Sequence, residues 1–313
     1  MDLENKAGYA GPSARARKLV RGAYDLHVHT GPDLLPRRAS DLELAYRCRE
    51  LGLAGFAIKS HYIPSAPRAA YVNALVPEII ALGSVTLNAA IGGINPVAVE
   101  IAARAGARIV WMPTFDGVNE MSRHTSFPPG VKPPQWARLQ QEMREQGVRN
   151  EPVRVVDENG AILPEVRTVL SLIARHSLVL ATGHLSRDEI FAVVTAARTE
   201  GVQNIIITHP EYPTQNLSVE DQNALVQQGA LLEHCFVTAY TGKISWERMF
   251  ANIRATGGPG HSFLSTDLGQ PDNPPIEDGL ALMADQFLAG GFTEDEVYQM
   301  AVVNTRRLAT GEA

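Results

Sequence analysis

Eight short apolar runs alternate with helical patterns along this 313-residue sequence, and no Gly-x-Gly-x-x-Gly turn follows the first run. Both observations predict an α/β fold, a parallel (β/α)8 barrel of TIM type, rather than a doubly wound open sheet. A third agrees with them: most of the nine histidines fall where those runs end. In a parallel barrel the strand C-termini share one face, and that face carries the chemistry.

The first run, Ala-Tyr-Asp-Leu-His-Val-His-Thr-Gly-Pro-Asp at 23–33, sends His27 and His29 to one side of a strand, because alternate side chains share a face. Gly31-Pro32 ends the strand just beyond them. Ser40-Asp-Leu-Glu43 is a capping box, after which Leu42, Ala45, Tyr46 and Leu51 recur at helical spacing until Gly52. A second strand is expected at 55–60, a helix at 66–82 and a third strand at 84–91. Asn95-Pro96 supplies a cap and a first-turn proline for the next helix. The fourth strand, 107–113, is apolar through Ile109, Val110, Trp111 and Met112, as a strand covered on both faces must be.

From about 114 to 165 the alternation breaks. Phe127-Pro-Pro-Gly and Lys132-Pro-Pro interrupt it, a polar helix is expected at 136–146, and 153–163 reads as a hairpin turning at Asn159-Gly160. An insertion after strand four leaves the barrel on its catalytic face. It is therefore expected to help cover the site, with Phe127 and Trp136 as apolar cover and Arg123 or His124 near substrate, or to form a subunit contact. Alternation then resumes with strands at 178–184, 204–209, 230–237 and 262–267. The intervening helices lie at 165–176, from the cap Ser186-Arg-Asp-Glu189 to Gly201, at 218–228 and at 245–256. Two C-terminal helices follow, the second opened by Thr293-Glu-Asp-Glu296. Residues 1–313 read as one domain, and the polar stretch before Arg21 fits either an arm or a lead-in helix.

A hydrophobic content of 45% with 20% charged residues describes an ordinary globular protein. The net charge of −6 gives no reason to expect nucleic acid or an anionic membrane as partner. Cys48 and Cys235 lie too far apart to form a zinc-knuckle spacing or a disulfide framework, which favours a reducing cytoplasm. The first residues contain no apolar h-region, and no apolar run approaches transmembrane length. The expectation is a soluble cytoplasmic protein whose partner is a small molecule.

The strand ends carry His27 and His29, then Lys59 and His61, Thr182-Gly-His184, Thr208-His209-Pro210, Glu233-His234, and finally Ser265-Thr266-Asp267. His124 lies in the insertion and His176 at a helix end. Taken in this order, from about 24 to 267, the set resembles the amidohydrolase superfamily of metal-dependent barrel hydrolases. The resemblance implies that His27, His29, His184 and Asp267 bind a divalent metal, most often zinc, with manganese or iron as alternatives. It implies that His209 is either a ligand to a second metal or polarises the substrate, and that the chain forms a homo-oligomer. Such a ligand set leaves a position for water, whose pKa falls to about 7. Asp267 can then accept the water's proton and pass it to a leaving group, while His209 stabilises the oxyanion.

Relatives with two metals bridge them through a carboxylated lysine or a glutamate, usually from strand four. Here that strand runs out as Trp111-Met-Pro-Thr-Phe-Asp116 without one before the loop, so a single tightly held metal is expected, with Lys59 a displaced candidate for a bridge. Lys59, Glu233, His61 and Arg37 are the candidate substrate-binding residues. Only one of Lys59 and His61, and one of Glu233 and His234, is expected to point into the mouth. A buried lysine needs a partner, so Lys59 is expected to meet a carboxylate such as Glu233 or an anionic substrate. Arg37 and Arg38 sit on the rim, and both cysteines read as small core residues. The implied reaction is attack of metal-activated water on an amide, cyclic amide or ester/lactone bond. Zinc-dependent non-oxidative decarboxylation is the rival reaction. A non-catalytic binding protein is the rival class, disfavoured because all four ligand-type residues are present.

Overall fold

The structure, a computed structural model, describes residues 10–123, 134–148 and 151–311. At its centre stand eight parallel strands in sequential order. They are β1 Tyr24–Val28, β2 Gly55–Ile58, β3 Ile80–Thr86, β4 Ala107–Trp111, β5 Val179–Ala181, β6 Asn204–Ile207, β7 Leu231–Cys235 and β8 Ser262–Ser265. The first and last strands are joined by a parallel bridge from Val28 to Leu268. There the His29 amide donates to the Leu268 carbonyl and the Asp267 amide to the His27 carbonyl, each at 2.8 Å. Helices alternate with the strands, and the predicted (β/α)8 barrel is the observed fold. Among the described residues no helix is long and apolar enough to cross a membrane.

Alternation along the strands decides what fills the ring. Leu26, Ile109, Trp111, Ile206 and Phe263 turn inward and pack against one another, the interior layering expected of a barrel. The lower end is closed by the helix Asn304–Thr310, whose Leu308 and Ala309 join this interior cluster. Polar strand ends are left to the opposite mouth. Two further apolar clusters lie between the ring and its helices.

The capping boxes at Ser40/Glu43, Ser186/Glu189 and Thr293/Glu296 all form. The N-terminal alternatives resolve as a docked helix, Ala14–Leu19, with Ser13 Oγ donating to Asp285 at 2.6 Å and Arg17 paired to Asp278 at 2.8 Å. The third-strand reading needs correction. Helix Ala66–Leu75 stops short of 82, because Pro77 drives Val76 out of the helical region, to φ −131° and ψ 73°. The released chain becomes β3 from Ile80, and 89–91 forms a 3-10 turn instead of strand. At 153–163 the turn forms, with Gly160 at φ +80° and Asp157 accepting from the Asn159 amide at 2.8 Å. Pairing beyond it is a single bridge, Val156 to Ile162.

Between β4 and the helix Pro164–Arg175 lie the helices Val118–Arg123 and Gln135–Glu145. The latter is tied to the end of β4 by Gln140, which donates to Asp116 at 2.7 Å, and by Trp136 stacking on Phe115 with centroids 4.5 Å apart. His124 and Phe127 lie outside the described residues.

Candidate metal and substrate site

His27 and His29 emerge from β1 at the barrel mouth and both are buried; a register shift between Asp25 and Val28 breaks the alternation that turns Leu26 inward, so His27 can face the axis as well. Asp267 arrives from just beyond β8, placing Oδ1 3.1 Å from Nε2 of each histidine. One donor atom from each of the three lies within 4.8 Å of the others. Asp267 and His209 both adopt left-handed backbone, at φ +53° and +25°. Such strain in a non-glycine residue persists only where the surroundings impose it, and it concentrates at functional sites. Close contact is part of the cause near Asp267: a Cβ on Gly269 would lie 1.8 Å from the His29 carbonyl oxygen.

Glu233 lies beneath this group. It accepts from His27 Nδ1 at 3.0 Å and from Ser265 Oγ at 2.8 Å, and is completely buried. A carboxylate on Nδ1 fixes the tautomer that leaves Nε2 to bind a cation, the arrangement by which carboxylates orient metal-binding histidines. Glu233 therefore does not line the pocket, and its expected substrate contact is replaced by the orientation of His27. His234, its neighbour, faces the other way toward Glu211 and Ser262 at 2.9 and 3.2 Å.

His184 and His209 stand opposite, with ring centroids 5.1 Å apart. Both line the same pocket. His184 Nδ1 lies 3.3 Å from Glu120 on the helix Val118–Arg123, and His184 is outside the close trio of donors. Two imidazoles and a carboxylate converging on one point, with a third imidazole across the pocket, are a donor chemistry that fits a divalent transition-metal ion.

Lys59 and His61 both line the pocket, contrary to the expectation that one would turn away. They are two residues apart, so alternation sends them to the same side. Lys59 meets His27 rather than Glu233, with Nζ 2.9 Å from Nε2 and 4.2 Å from the centroid of the Trp111 ring. Burying an ammonium costs several kcal/mol, more than the about 2 kcal/mol a desolvated cation–π contact returns. Burial accordingly pulls the Lys59 pKa below its usual value. His61 donates or accepts at Thr114 Oγ1, 2.8 Å away, which Asn88 also reaches at 2.7 Å.

Electrostatics suit the roles of the trio. Burial works against the charge on Asp267, yet His27 and His29 hold its carboxyl well below the usual range. Against burial, which pulls it down, Asp267 and Glu233 keep His27 above the ordinary histidine value. Burial drags His29 and His209 to about 3, leaving both imidazoles neutral. Asp25, next to them on β1, is pushed up by burial to about 7, against hydrogen bonds from Thr266 and His27.

These shifts set the acid response of the metal-free protein. Between about pH 4.5 and 6.5 the unfolded chain protonates His29, His61 and His209, which burial keeps neutral in the folded chain, while the folded chain alone retains a proton on Asp25. From these groups the unfolded state binds two more protons. Stability of chelator-treated protein is therefore expected to rise with pH across this window by about 3 kcal/mol per unit. Urea midpoints measured through the window check this: His209→Gln removes one of the three histidines and lowers the slope, whereas an unchanged slope contradicts it.

The pocket above the trio has a volume of about 530 Å³. Pro134, Gln135 and Trp136 line it from the β4 connection, and Phe115 stacks on His61 at 3.9 Å. Arg37 reaches it from the loop after β1, whereas Arg38 turns to the Pro271 carbonyl at 3.2 Å. Cys235 and Cys48 are buried, as expected of core residues. The sequence reading passed over Glu120, Tyr212 and Lys243. Tyr212, 5.0 Å from His209 by ring centroid, and Lys243 sit in loops after β6 and β7, and that position on the mouth was their available signal. Glu120 carried none, since it sits in an irregular connection.

The sequence matches, over residues 22–233, a family described as a family of unknown function, DUF6282. The match covers more than half of the chain, and the chain belongs to that family. No curated protein matches the sequence significantly. Among solved structures it resembles an amidohydrolase from Pseudomonas aeruginosa at 12% identity and TM-score 0.59, covering 96% of this chain and 99% of that one. A phosphotriesterase homology protein from Escherichia coli, complexed with phosphate in its active site, aligns at 12% identity and TM-score 0.59, covering 92% and 99%. A TatD homologue from Escherichia coli aligns at 14% identity and TM-score 0.53, covering 94% and 100%. At such identities the likeness shows the fold, which is the barrel that the amidohydrolase resemblance implied.

Proposed function

We propose that this member of DUF6282 is a metal-dependent hydrolase of a small molecule, acting at an amide, cyclic amide or ester/lactone bond. The observation that carries the reading is the convergence of His27, His29 and Asp267 at the floor of an open pocket, with His184 and His209 across from them. His27, His29 and Asp267, with His184 at the edge, would hold a divalent cation, zinc first and manganese or iron next. That cation supplies Lewis acidity, which lowers the pKa of water and polarises a carbonyl. Asp267, ionised and unshielded toward the pocket, takes a proton from the attacking water and delivers it to the leaving group. His209, neutral at working pH, hydrogen-bonds the carbonyl oxygen as negative charge develops there. Phe115 and Trp136 give the pocket an apolar wall, which lowers the local dielectric and strengthens both interactions.

The test is a screen of amides, cyclic amides and lactones against protein as purified, chelator-treated and metal-restored. Hydrolysis should be lost with chelator and return with metal. Turnover insensitive to chelation overturns the reading, and carbon dioxide released from acids without a hydrolysable bond points to decarboxylation instead.

A further inference from the structure

We infer that the substrate is a planar acid: a flat ring or conjugated group carrying a carboxylate, with the reacting bond a few bonds from that carboxylate. This rests on the proposed function for the word substrate, but its geometry concerns different residues. Arg37 is a cation built into the pocket wall. Its side chain is 6% exposed, and its partner Asp33 is completely buried. Nε donates to Asp33 Oδ2 at 2.7 Å, and Nη2 lies 2.6 Å from the same oxygen. Asp33 is itself fixed by Ser60 Oγ from the end of β2, at 3.2 Å, and by the Leu34 amide at 2.8 Å. A guanidinium carries five N–H groups in a plane. One carboxylate oxygen takes a single edge of it, and Asp33 is the partner of Arg37 among the described residues.

The loop holding Arg37 is anchored on both sides. Its Gly31 amide donates to the Ala39 carbonyl, and the Arg38 amide to the Gly269 carbonyl beside Asp267. Arg68 clamps Asp41 at its far end with hydrogen bonds of 2.7 and 2.8 Å, and Thr30 at its near end. The guanidinium is thus preorganised, which limits the entropy lost when an anion binds. A carboxylate matches the planar fork better than a compact or tetrahedral group does.

The flat part of the ligand follows from the aromatic residues of the same pocket. His61, Phe115 and Trp136 form a continuous stack from floor to rim, with interplanar angles of 27° and 12°. Parallel aromatic faces of this kind favour a flat partner. The Arg37 fork holds the carboxylate at the wall, which turns the remainder of the molecule toward His29 and Asp267. At the rim Lys243 and Asp272 carry opposite charges, and Lys59 on the floor is engaged by His27 and the Trp111 ring, so selectivity for an acid falls to Arg37.

The experiment compares 2-naphthoate with its neutral isostere 2-naphthamide by quenching of tryptophan fluorescence. It uses protein as purified and after chelator treatment, since a carboxylate cannot then be held by metal. Wild-type protein is expected to bind the acid about ten- to a hundredfold more tightly, the worth of a charge-assisted hydrogen bond. Arg37→Gln should abolish this preference while leaving 2-naphthamide binding unchanged. Arg37→Lys keeps the Asp33 ion pair, so it guards against a fold effect, and should reduce the preference several-fold through loss of the fork. Trp136→Ala should weaken both ligands alike. Equal affinity for acid and amide in the chelator-treated wild type overturns the inference, as does full preference in both Arg37 variants. Absence of metal or of hydrolysis would remove the proposed function yet leave this binding result standing.

Discussion

Asp267→Asn is expected to lower turnover by about 10²–10⁴-fold, the usual worth of a positioned general base, with the metal retained. Asparagine keeps an oxygen that can face His27 and His29 but has no basic site at working pH. The depressed carboxyl of Asp267, held by those two histidines, means that the wild-type group is fully ionised at working pH. The loss corresponds to about 3–5 kcal/mol of transition-state stabilisation. Steady-state rates on a substrate from the hydrolysis screen, paired with metal content of the same preparation, separate the outcomes. Near-normal turnover with metal present would remove Asp267 from proton transfer. Loss of metal would make it a ligand first and leave its basic role to be tested by added small bases.

Metal occupancy should respond in a graded way to changes around β1. Wild-type protein purified without chelator is expected to hold about one divalent metal per chain, since His27, His29 and Asp267 make one close donor set. His29→Ala removes a donor whose Nδ1 has no hydrogen-bond partner, so little but the ligand is lost. Occupancy should then fall close to zero while the fold survives. Glu233→Gln keeps the shape beneath His27 but weakens the carboxylate that orients it, and should cost about 10–100-fold in metal affinity. Elemental analysis and competition with a chromogenic chelator read both effects. Two tightly bound equivalents would overturn the single-metal reading and return Lys59 to candidacy as a bridge. Undiminished affinity in Glu233→Gln would make Glu233 a structural acid only.

Much of the architecture was legible because it rests on local rules. Period-two alternation placed His27 and His29 together, and capping boxes at Ser40, Ser186 and Thr293 marked helix starts that the structure reproduces. Strand ends in a parallel barrel meet on one face whatever the details, so histidines and Asp267 could be gathered from positions 240 residues apart. The third strand starts earlier than helical periodicity implies for a local reason as well, since Pro77 ends the preceding helix at Leu75.

What the sequence determined by itself was therefore the barrel and the residue types at its mouth, because hydrophobic period and strand polarity depend on near neighbours in the chain. Which partner each polar side chain takes was decided only by tertiary structure. Glu233 turns under His27, Lys59 stops at His27 and Trp111, and Arg37 locks to Asp33 beside an aromatic wall supplied by Phe115 and Trp136. These choices depend on strand stagger, on left-handed backbone at His209 and Asp267, and on burial that makes every unpaired charge costly. None of those quantities is a property of a short stretch of chain, and they emerge only when the eight strands close around one another.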